Sequence, residues 1–456
     1  MSEEATLDEF AQPSDEDDSK RKITSRFWGE VPEDWRLVDG SEVYDVNPNP
    51  KSDEEPNTYI EMDALDTVLP WPKYFGTRNA SEYSGKTFTK GDTLFARITP
   101  CTENGKAALV PEMETEVGIG STEYAVLSPK RDSINPWLLY YISKSYAVHN
   151  YAISRMRGST GRQRVPFSVF RKELDIALPP LPEQRKIATV LYTVDRVIEK
   201  TKEVINQVRR VRDGVRQDIF SHGIRQSGIE RAEDELKETY LGNIPNNWQL
   251  RRVDEVCSHV VDCPHSTPDY SGEGTVVVRT SEIEEGRYYP AESPRVDEEG
   301  YQKRISRLEP KPGDVVFTRE APIGESFKIP DGMRLCLGQR LVQLRPKDDI
   351  LNGDYLVELL YSDMLQNWFE RSARGSTSKH INVEDIEGME IPVPSIEEQR
   401  RIVEVLGGFR EQIDSERNLL NSYERLKHGL QQDILSGTVR TTDTNIEVPD
   451  EIAQHG

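Results

Sequence analysis

One segment of about 40 residues occurs twice in this chain, and this repeat limits the folds that the chain can adopt. Residues 180–220 read PLPEQRKIATVLYTVDRVIEKTKEVINQVRRVRDGVRQDIF, and residues 394–435 read PSIEEQRRIVEVLGGFREQIDSERNLLNSYERLKHGLQQDIL. From Glu183 and Glu398 onward the two copies align without a gap, at a constant offset of 215 residues. A repeat unit of this length indicates that half of a protein was duplicated, so we expect two similar halves.

Each copy is predicted to be one long helix with an apolar seam. Seam residues recur at alternating steps of four and three, which is the pattern of a coiled coil. Pro182 suits a first helical turn, where a missing N–H costs nothing. About 40 residues, at about 1.5 Å each, give a rod of roughly 60 Å. The seam positions are Ile187, Leu191, Val194, Ile198, Thr201, Ile205, Val208, Arg212, Val215 and Ile219 in the first copy, and Ile402, Leu406, Phe409, Ile413, Glu416, Leu420, Tyr423, Lys427, Leu430 and Ile434 in the second.

The seam is polar at two matching places. Thr201 corresponds to Glu416, and Arg212 corresponds to Lys427. At these places we expect the register of an antiparallel pair to be set. The apolar stripe is predicted to step over there to Val204, Leu419, Val211 and Leu426. The alternative is a pair of unrelated amphipathic helices in separate cores.

The segments that precede the long helices are also repeated. GEVPEDWRL at 29–37 matches GNIPNNWQL at 242–250, KGDTLFAR at 90–97 matches PGDVVFTR at 312–319, and RGST at 157–160 recurs at 374–377. Loop residues 45–85 and 260–305 have little likeness to each other. Different loops on a shared core structure favour two recognition domains that bind different targets in the same way. We call these two domains the heads.

The predicted fold class is α+β, with two similar α/β domains separated by two long antiparallel helices that form a coiled coil with pseudo-two-fold symmetry. The predicted segments are a disordered acidic N-terminus at 1–22, a first head at 23–178, a first long helix at 179–222, a linker at 223–240, a second head at 241–391, a second long helix at 392–437 and an acidic tail at 438–456.

Composition argues against several classes of protein. No run approaches 18 apolar residues, so no membrane span is expected, and the N-terminus lacks the basic and apolar regions of a signal peptide, which predicts a cytoplasmic protein. Four scattered cysteines are too few for a disulfide scaffold.

The net charge of −22 is unusual for a protein that binds nucleic acid. About half of it lies at the ends, because residues 1–19 carry eight acidic side chains and residues 441–456 carry four, without Lys or Arg. Arg outnumbers Lys, and an acidic surface poor in Lys suits a cytoplasm of very high salt, where self-repulsion is screened. DNA binding would then depend on local basic faces and on contacts added by partner subunits.

No catalytic or cofactor motif is present in the sequence. A Walker loop, a methylase Asn/Asp-Pro-Pro-aromatic tetrad and a Gly-rich cofactor loop are all missing. Cys257, Cys263 and His265 invite a zinc interpretation, but a complete site needs four ligands, and no CxxC pair occurs. The sequence therefore predicts a non-catalytic chain that needs neither cofactor nor metal.

Together, the repeated EQR helix, the W-x-L start of each half, the GD-x-x-F-x-R strand and the RGST element resemble the conserved regions of the specificity (S) subunits of type I restriction–modification systems. The resemblance spans about 27–437, and Asp262–Pro268 (DCPHSTP) resembles a segment frequent in target-recognition domains of that family. It implies that each head reads one half of a bipartite asymmetric site in double-stranded DNA, that the helices are an antiparallel spacer, and that two methylase (M) subunits and restriction (R) subunits assemble on the chain.

Two kinds of contact residue follow from this resemblance. Basic, amide and small residues in the repeated loops and strand ends could contact phosphates or base edges. A structural turn, or a salt bridge within the head, is the alternative for them. The candidates for DNA contact are Arg97, Arg157, Ser159, Thr160, Arg162, Gln163, Arg164, His265, Ser266, Thr267, Arg319, Arg374, Ser376, Thr377, Lys379 and His380.

The starts of the two long helices are the candidates for binding methylase subunits. Acidic residues also favour a first helical turn, so helix capping is the alternative role there. These candidates are Glu183, Gln184, Arg185, Glu398, Gln399 and Arg400.

Two other functions remain open at this point. A coiled-coil scaffold could join protein partners without reading DNA, and the acidic charge favours it slightly. A recognition half separated from a fused methylase–nuclease would share the heads but need only one partner.

Overall fold

The computed structural model describes residues 23–51, 55–79, 81, 84–224, 235–290, 293–375 and 379–453. The chain divides into two compact units. The first unit contains the described residues up to Glu203 together with those from Asn418 onward, and the second unit is Val204–Arg417. Each unit therefore contains one head and part of each long helix. The predicted disorder of residues 1–22 lies outside the described residues.

The strands are short, and each head contains about half of them. The first head contains β1 (Thr24–Ser25), β2 (Gly29–Glu30), β3 (Arg36–Asp39), β4 (Tyr44–Val46), β5 (Asn57–Ile60), β6 (Gly76–Arg78), β7 (Lys86–Thr89), β8 (Thr93–Ala96), β9 (Ala107–Leu109), β10 (Val117–Gly120), β11 (Tyr124–Pro129) and β12 (Asp175–Leu178). The second head contains β13 (Leu236–Thr239), β14 (Gly242–Pro245), β15 (Gln249–Arg252), β16 (Cys257–Asp262), β17 (Thr275–Val278), β18 (Ile283–Glu284), β19 (Arg287–Tyr288), β20 (Arg295–Val296), β21 (Val315–Arg319), β22 (Ile323–Lys328), β23 (Leu335–Leu337), β24 (Leu341–Pro346) and β25 (Glu390–Val393).

The helices include two that are far longer than the rest. They are α1 (Gly40–Val43), α2 (Pro136–Lys144), α3 (Tyr146–Ser154), α4 (Phe167–Lys172), α5 (Leu181–His222), α6 (Val253–Val256), α7 (Glu298–Arg304), α8 (Gly353–Leu360), α9 (Asp363–Ser372), α10 (Val383–Glu387), α11 (Ile396–Leu435) and α12 (Asp450–Ala453). No helix in the described part of the chain is long and apolar enough to cross a membrane. The two predicted long helices are confirmed as α5 and α11.

The two heads share one frame of sheets. The order β4-β11-β8-β9 in the first head matches β16-β24-β21-β22 in the second, and β3 pairs with β12 as β15 pairs with β25. The remaining large sheets differ. In the first head β6-β5-β10-β7 has four strands, whereas the described part of the second head has only β20-β17-β23. Each keeps one parallel pair, β5 with β10 and β17 with β23.

Each head has a pair of consecutive short helices, α2 and α3 in the first head and α8 and α9 in the second. Ser145 separates α2 from α3, and its hydroxyl caps α3 by accepting a hydrogen bond from the backbone N–H of Val148. Asn135 caps α2 through its side-chain oxygen, with Pro136 in the first turn. Asn352 caps α8 in the same way, so the repeat extends to the capping residues.

Within each unit the long helices run antiparallel. In the first unit the Asp195 carboxylate lies 2.5 Å from the Lys427 ammonium, and the Lys202 ammonium lies 3.9 Å from the Glu424 carboxylate, so the partner number falls as the first number rises. In the second unit the end of α5 and the start of α11 meet in one core, through Ile219. Contacts from both helices to the second head complete that core.

The predicted step of the apolar stripe at the polar places is wrong. Thr201, Arg212 and Lys427 are buried and Glu416 is half-buried, so the seam continues through its polar members. The side chains that were predicted to replace them are exposed: Val204 by 38%, Val211 by 49%, Leu419 by 42% and Leu426 by 50%. The buried polar members are possible because each finds an ion pair or hydrogen bond.

Candidate nucleic-acid interface

The RGST loop of the first head is a tight hairpin. Arg157 and Arg164 exchange backbone hydrogen bonds of 2.9 Å in both directions. Gly158 has a φ of +130°, and a Cβ there would lie 2.8 Å from the carbonyl oxygen of Arg162, so this position requires glycine. The side chains of the loop are half-buried at Gln163 and Arg164 and exposed at Arg157, Ser159, Thr160 and Arg162.

Arg97 holds this loop to the sheet of the first head. Its Nε donates to the carbonyl oxygen of Val165 at 2.9 Å, and its own carbonyl accepts from the N–H of Val165 at 2.8 Å. The Glu123 carboxylate lies 3.5 Å from Arg97 and accepts hydrogen bonds from Arg164. Burial lowers the pKa of Arg97, and Glu123 opposes this effect. These contacts agree with the alternative interpretation of Arg97, in which it forms a salt bridge within the head.

Three cations surround the ring of Phe167, the first residue of α4. The distances from its centroid are 4.1 Å to the guanidinium carbon of Arg97, 5.7 Å to that of Arg171, and 5.2 Å to the ammonium of Lys86. The sequence reasoning missed Lys86, Phe167 and Arg171. The basic pair Arg171-Lys172 was visible, but nothing in the pattern placed Lys86 beside it.

The second head repeats the link between loop and sheet. Arg319 donates to the carbonyl oxygen of Ile381 at 3.4 Å, and its carbonyl accepts from the N–H of Ile381 at 3.0 Å. Arg374 and His380 exchange backbone hydrogen bonds of 2.9 Å, as Arg157 and Arg164 do in the first head. Lys379 is exposed and His380 is half-buried. Ser376 and Thr377 lie outside the described residues.

The segment Asp262–Pro268 lies against Arg319. One carboxylate oxygen of Asp262 accepts from the Nε of Arg319 at 3.2 Å, and the other lies 3.0 Å from the Nε2 of His265. His265 is 62% exposed at its side chain, and Ser266 and Thr267 are exposed beside it. The structure therefore brings together three sets of candidates in this head, from the strand end, the RGST loop and this segment.

Glutamines at the starts of the two long helices make matching internal contacts. The Oε1 of Gln184 accepts from the N–H of Asn135 at 2.8 Å, and its Nε2 donates to the carbonyl of Pro179. Gln399 accepts from the N–H of Asn352 at 2.8 Å and donates to the carbonyl of Pro394. Both glutamines are buried. They tie the long helix to the cap of the short helix in the head.

Glu183 ties the chain's C-terminal segment to the first unit. Its carboxylate accepts from the Nε of Arg440 at 2.9 Å and from the indole N–H of Trp35 at 2.9 Å. Although burial opposes it, these hydrogen bonds lower the pKa of Glu183. Beyond Arg440 the segment remains packed on the unit, since Ile452 is fully buried. Of the remaining candidates at the helix starts, Arg185 and Glu398 are half-buried and Arg400 is exposed.

Replacing Gln184 or Gln399 by leucine is expected to lower the free energy of unfolding of its own unit by about 2–3 kcal/mol. Each change leaves one buried N–H and buried carbonyl groups without partners, while it keeps the side-chain volume. Urea unfolding, followed by intrinsic fluorescence, measures the loss. Gln217 and Gln432 are exposed glutamines at matching positions on the same helices, and leucine there should change the free energy by less than about 0.5 kcal/mol. Equal effects at both pairs would show that the buried contacts contribute nothing.

A comparison with protein families gives two matches to one family, the type I restriction modification DNA specificity domain, at residues 32–210 and 245–425. The chain belongs to this family. The two matched ranges each span one head and the first part of the helix that follows, so the duplication in the sequence is a duplication of the family domain.

Curated relatives in the family match along most of the chain. The putative type I restriction enzyme MjaX specificity subunit of Methanocaldococcus jannaschii is 23% identical over 428 residues, which cover 90% of this chain and 95% of the relative. The EcoAI specificity subunit of Escherichia coli is 33% identical over 162 residues, which cover 35% of this chain and 27% of the relative.

A solved structure described by its role in complex assembly and conformational transition of the type I R-M system is similar in fold. It aligns with a TM-score of 0.52 and 22% identity, over 90% of this chain and 100% of the other. At this identity the likeness shows the fold alone, and it agrees with the predicted fold class.

Proposed function

We propose that this chain is the DNA-specificity subunit of a type I restriction–modification complex and that it works in the cytoplasm. Each head reads one part of a bipartite asymmetric site in double-stranded DNA, and methylase and restriction subunits assemble on the chain. The chain itself contributes recognition and no catalytic step. The observation that carries this proposal is the pair of family domains, which share one frame of sheets and differ in the remaining sheet.

Two domains that read different DNA sequences need a shared set of sheets and additional elements that differ between them. The frame positions the repeated loops, which can contact phosphates in a way that does not depend on sequence. Sequence is read by side chains at base edges, and these must differ if the two parts of the site differ. The added strand β7 in the first head and the helix α7 in the second head supply such differences.

Exposed residues of the repeated loops suit phosphate contact. Arg157 and Arg162 in the first head, and Lys379 in the second, combine positive charge with exposure. Gln163, Ser159 and Thr160 add hydrogen-bonding groups in the first loop. We assign Arg97 and Arg319 to positioning these loops, because both are engaged by carboxylates and loop carbonyls. His265, Ser266 and Thr267 are proposed to contact DNA in the second head, because their side chains are exposed.

The long helices supply a spacer and two docking surfaces. Each carries exposed apolar residues outside the seam, at spacings of seven or fourteen: Val197, Val204 and Val211 on α5, and Val405, Leu419 and Leu426 on α11. Residues seven apart lie on one face of a helix, so each set forms a stripe. Val204 and Val211 correspond to Leu419 and Leu426 in the repeat. Two equivalent stripes fit two copies of one partner, the methylase subunit.

Exchange of one head tests the two-reader proposal. Replacing Val253–Ile381 by the equivalent segment of a family member with another specificity keeps β15 and β25, which support the start of α11. We expect genome-wide methylation mapping to show one changed part of the site and one unchanged part, because the first head is intact. The reciprocal exchange in the first head is the matched control and should change the other part. Two changed parts, or none, in complexes that still methylate would contradict the proposal.

A further inference from the structure

Three cations lie close together around Phe167 in the first head of this acidic chain. Lys86, Arg97 and Arg171 lie around this ring, and Arg164 shares the Glu123 carboxylate with Arg97. Within the described residues, Glu123 pairs with Arg97 and Arg164, while Lys86 and Arg171 have no ion pair.

The fold brings these charges together from three elements. Arg171 lies one turn after Phe167 on α4, so both residues are on one face of that helix. Lys86 begins β7 and pairs with Gly120 of β10. Arg97 follows β8 and is fixed by Val165, as described above. Like charges repel, and an aromatic ring offsets only part of that repulsion, so the cluster favours an anion.

We propose that this cluster, Lys86 and Arg171 on either side of Phe167, binds the DNA backbone phosphates next to the part of the site that the first head reads. The assignment rests on the proposed function. Arginine and lysine are the side chains that neutralise DNA phosphates, and the exposed Arg157 and Arg162 of the neighbouring hairpin extend the same basic surface.

The second head has no equivalent cluster among its described residues. Val383 stands in α10 where Phe167 stands in α4, and Glu387 stands where Arg171 stands, because Asn382 and Pro166 cap the two helices at matching positions. The strand β7, which carries Lys86, has no counterpart in the three-stranded sheet of that head.

The ion pairs among the described residues of the second head also indicate that it has no such cluster. Its cations are paired individually, Arg319 with Asp262 and Arg374 with Asp385. The first head therefore supplies the larger salt-dependent share of DNA binding. The second head depends more on contacts that do not neutralise phosphates.

The experiment measures how DNA binding depends on salt in the complete complex with its methylase subunits. The duplex carries the site found by methylation mapping, and fluorescence anisotropy gives the dissociation constant over a tenfold range of KCl. Binding that neutralises a phosphate contributes about 0.9 to the slope of log affinity against log salt. We expect K86Q/R171Q to reduce the magnitude of that slope by about 2, and Arg171→Lys to keep the wild-type slope.

Lys172 provides the matched control, since it is an exposed cation next to Arg171 that has no contact with the Phe167 ring in the described structure. Lys172→Gln should leave the slope within about 0.3 of wild type, because only a bound phosphate contributes to the slope. If K172Q reduced the magnitude of the slope as much as K86Q/R171Q does, the effect would be one of net charge in general, and the proposal would be overturned. Thermal unfolding of each variant confirms that the fold is kept.

Three results separate the assignments. A K86Q/R171Q complex that keeps its preference for the site with an unchanged slope overturns the cluster alone. A wild-type complex without preference for the site at any salt overturns the proposed function and the cluster with it. Loss of inorganic tripolyphosphate binding in K86Q/R171Q, with unchanged duplex binding, would make the cluster a site for small anions and would also overturn the proposal.

Discussion

Replacing Lys427 by methionine is expected to lower the free energy of unfolding of the first unit by about 3–5 kcal/mol. Asp195 is fully buried, and the Lys427 ammonium lies 2.5 Å from its carboxylate. The hydroxyl of Tyr141 donates to the other carboxylate oxygen at 2.8 Å, but it carries no charge. Without Lys427 the buried carboxylate would lose the counter-charge that contacts it and would keep only the weaker attraction of Lys144. Urea unfolding of wild type and variant at pH 8 measures the loss.

The pH dependence of this loss identifies its cause. Burial raises the pKa of Asp195, and the ion pair with Lys427 opposes that rise. In the variant the pKa rises further, so the folded state binds a proton that the unfolded state binds only at lower pH. Stability lost at pH 8 should therefore be partly recovered as the pH falls through the raised pKa. A loss that is the same at pH 8 and pH 5 would contradict this account.

Two variants serve as controls for the ion pair. D195L/K427M removes both charges, so it should recover most of the stability that K427M loses. Arg212 occupies the repeat position that corresponds to Lys427, and its partners Asp213 and Glu285 are 55% and 24% exposed at their side chains. Arg212→Met should cost about 1 kcal/mol, because those carboxylates remain in contact with water.

The bounds of the long helices could be predicted from the sequence to within two residues for α5 and four residues for α11. Pro182 marks the first turn of α5, and the seam keeps its alternating steps through to Ile219, close to the observed end at His222. Periodicity of this kind depends only on neighbours along one helix. The burial of the polar seam side chains could not be predicted in the same way. Their partners include Glu285 and the backbone of Val68, which are far away in the sequence.

In the candidate site, too, the local turns could be predicted from the sequence and the long-range contacts could not. The glycines and basic residues of the RGST loops indicated a turn, and the hairpin at Arg157 is such a turn. The contacts of Arg97 come from Glu123 and Val165, and those of Phe167 from Lys86, so they depend on how the sheets fold. The buried C-terminal segment was missed for a related reason, since its composition is polar and it contributes little apolar surface to the core, through Ile452 and Val448.

Placing aspartate in both apolar stripes, as V204D/L419D, is expected to abolish the binding of methylase subunits. Val204 and Leu419 occupy matching repeat positions and are 38% and 42% exposed, so the free chain tolerates a charge there. In a complex the same carboxylate would be buried against apolar side chains, which costs about 3 kcal/mol, or about 100-fold in Kd, at each stripe. Either single variant should therefore retain one methylase subunit.

Native mass spectrometry of the purified complexes counts the methylase subunits in each variant. Asn206 and Asn421 are exposed residues at matching positions outside the stripes, so N206D/N421D adds the same two charges elsewhere on the same helices. This control should keep two methylase subunits. Circular dichroism should show the same helix content in all variants, since the changes lie at exposed positions. If V204D/L419D also keeps two methylase subunits, docking depends on another surface, and the exposed Arg400 at the start of α11 becomes the next position to change.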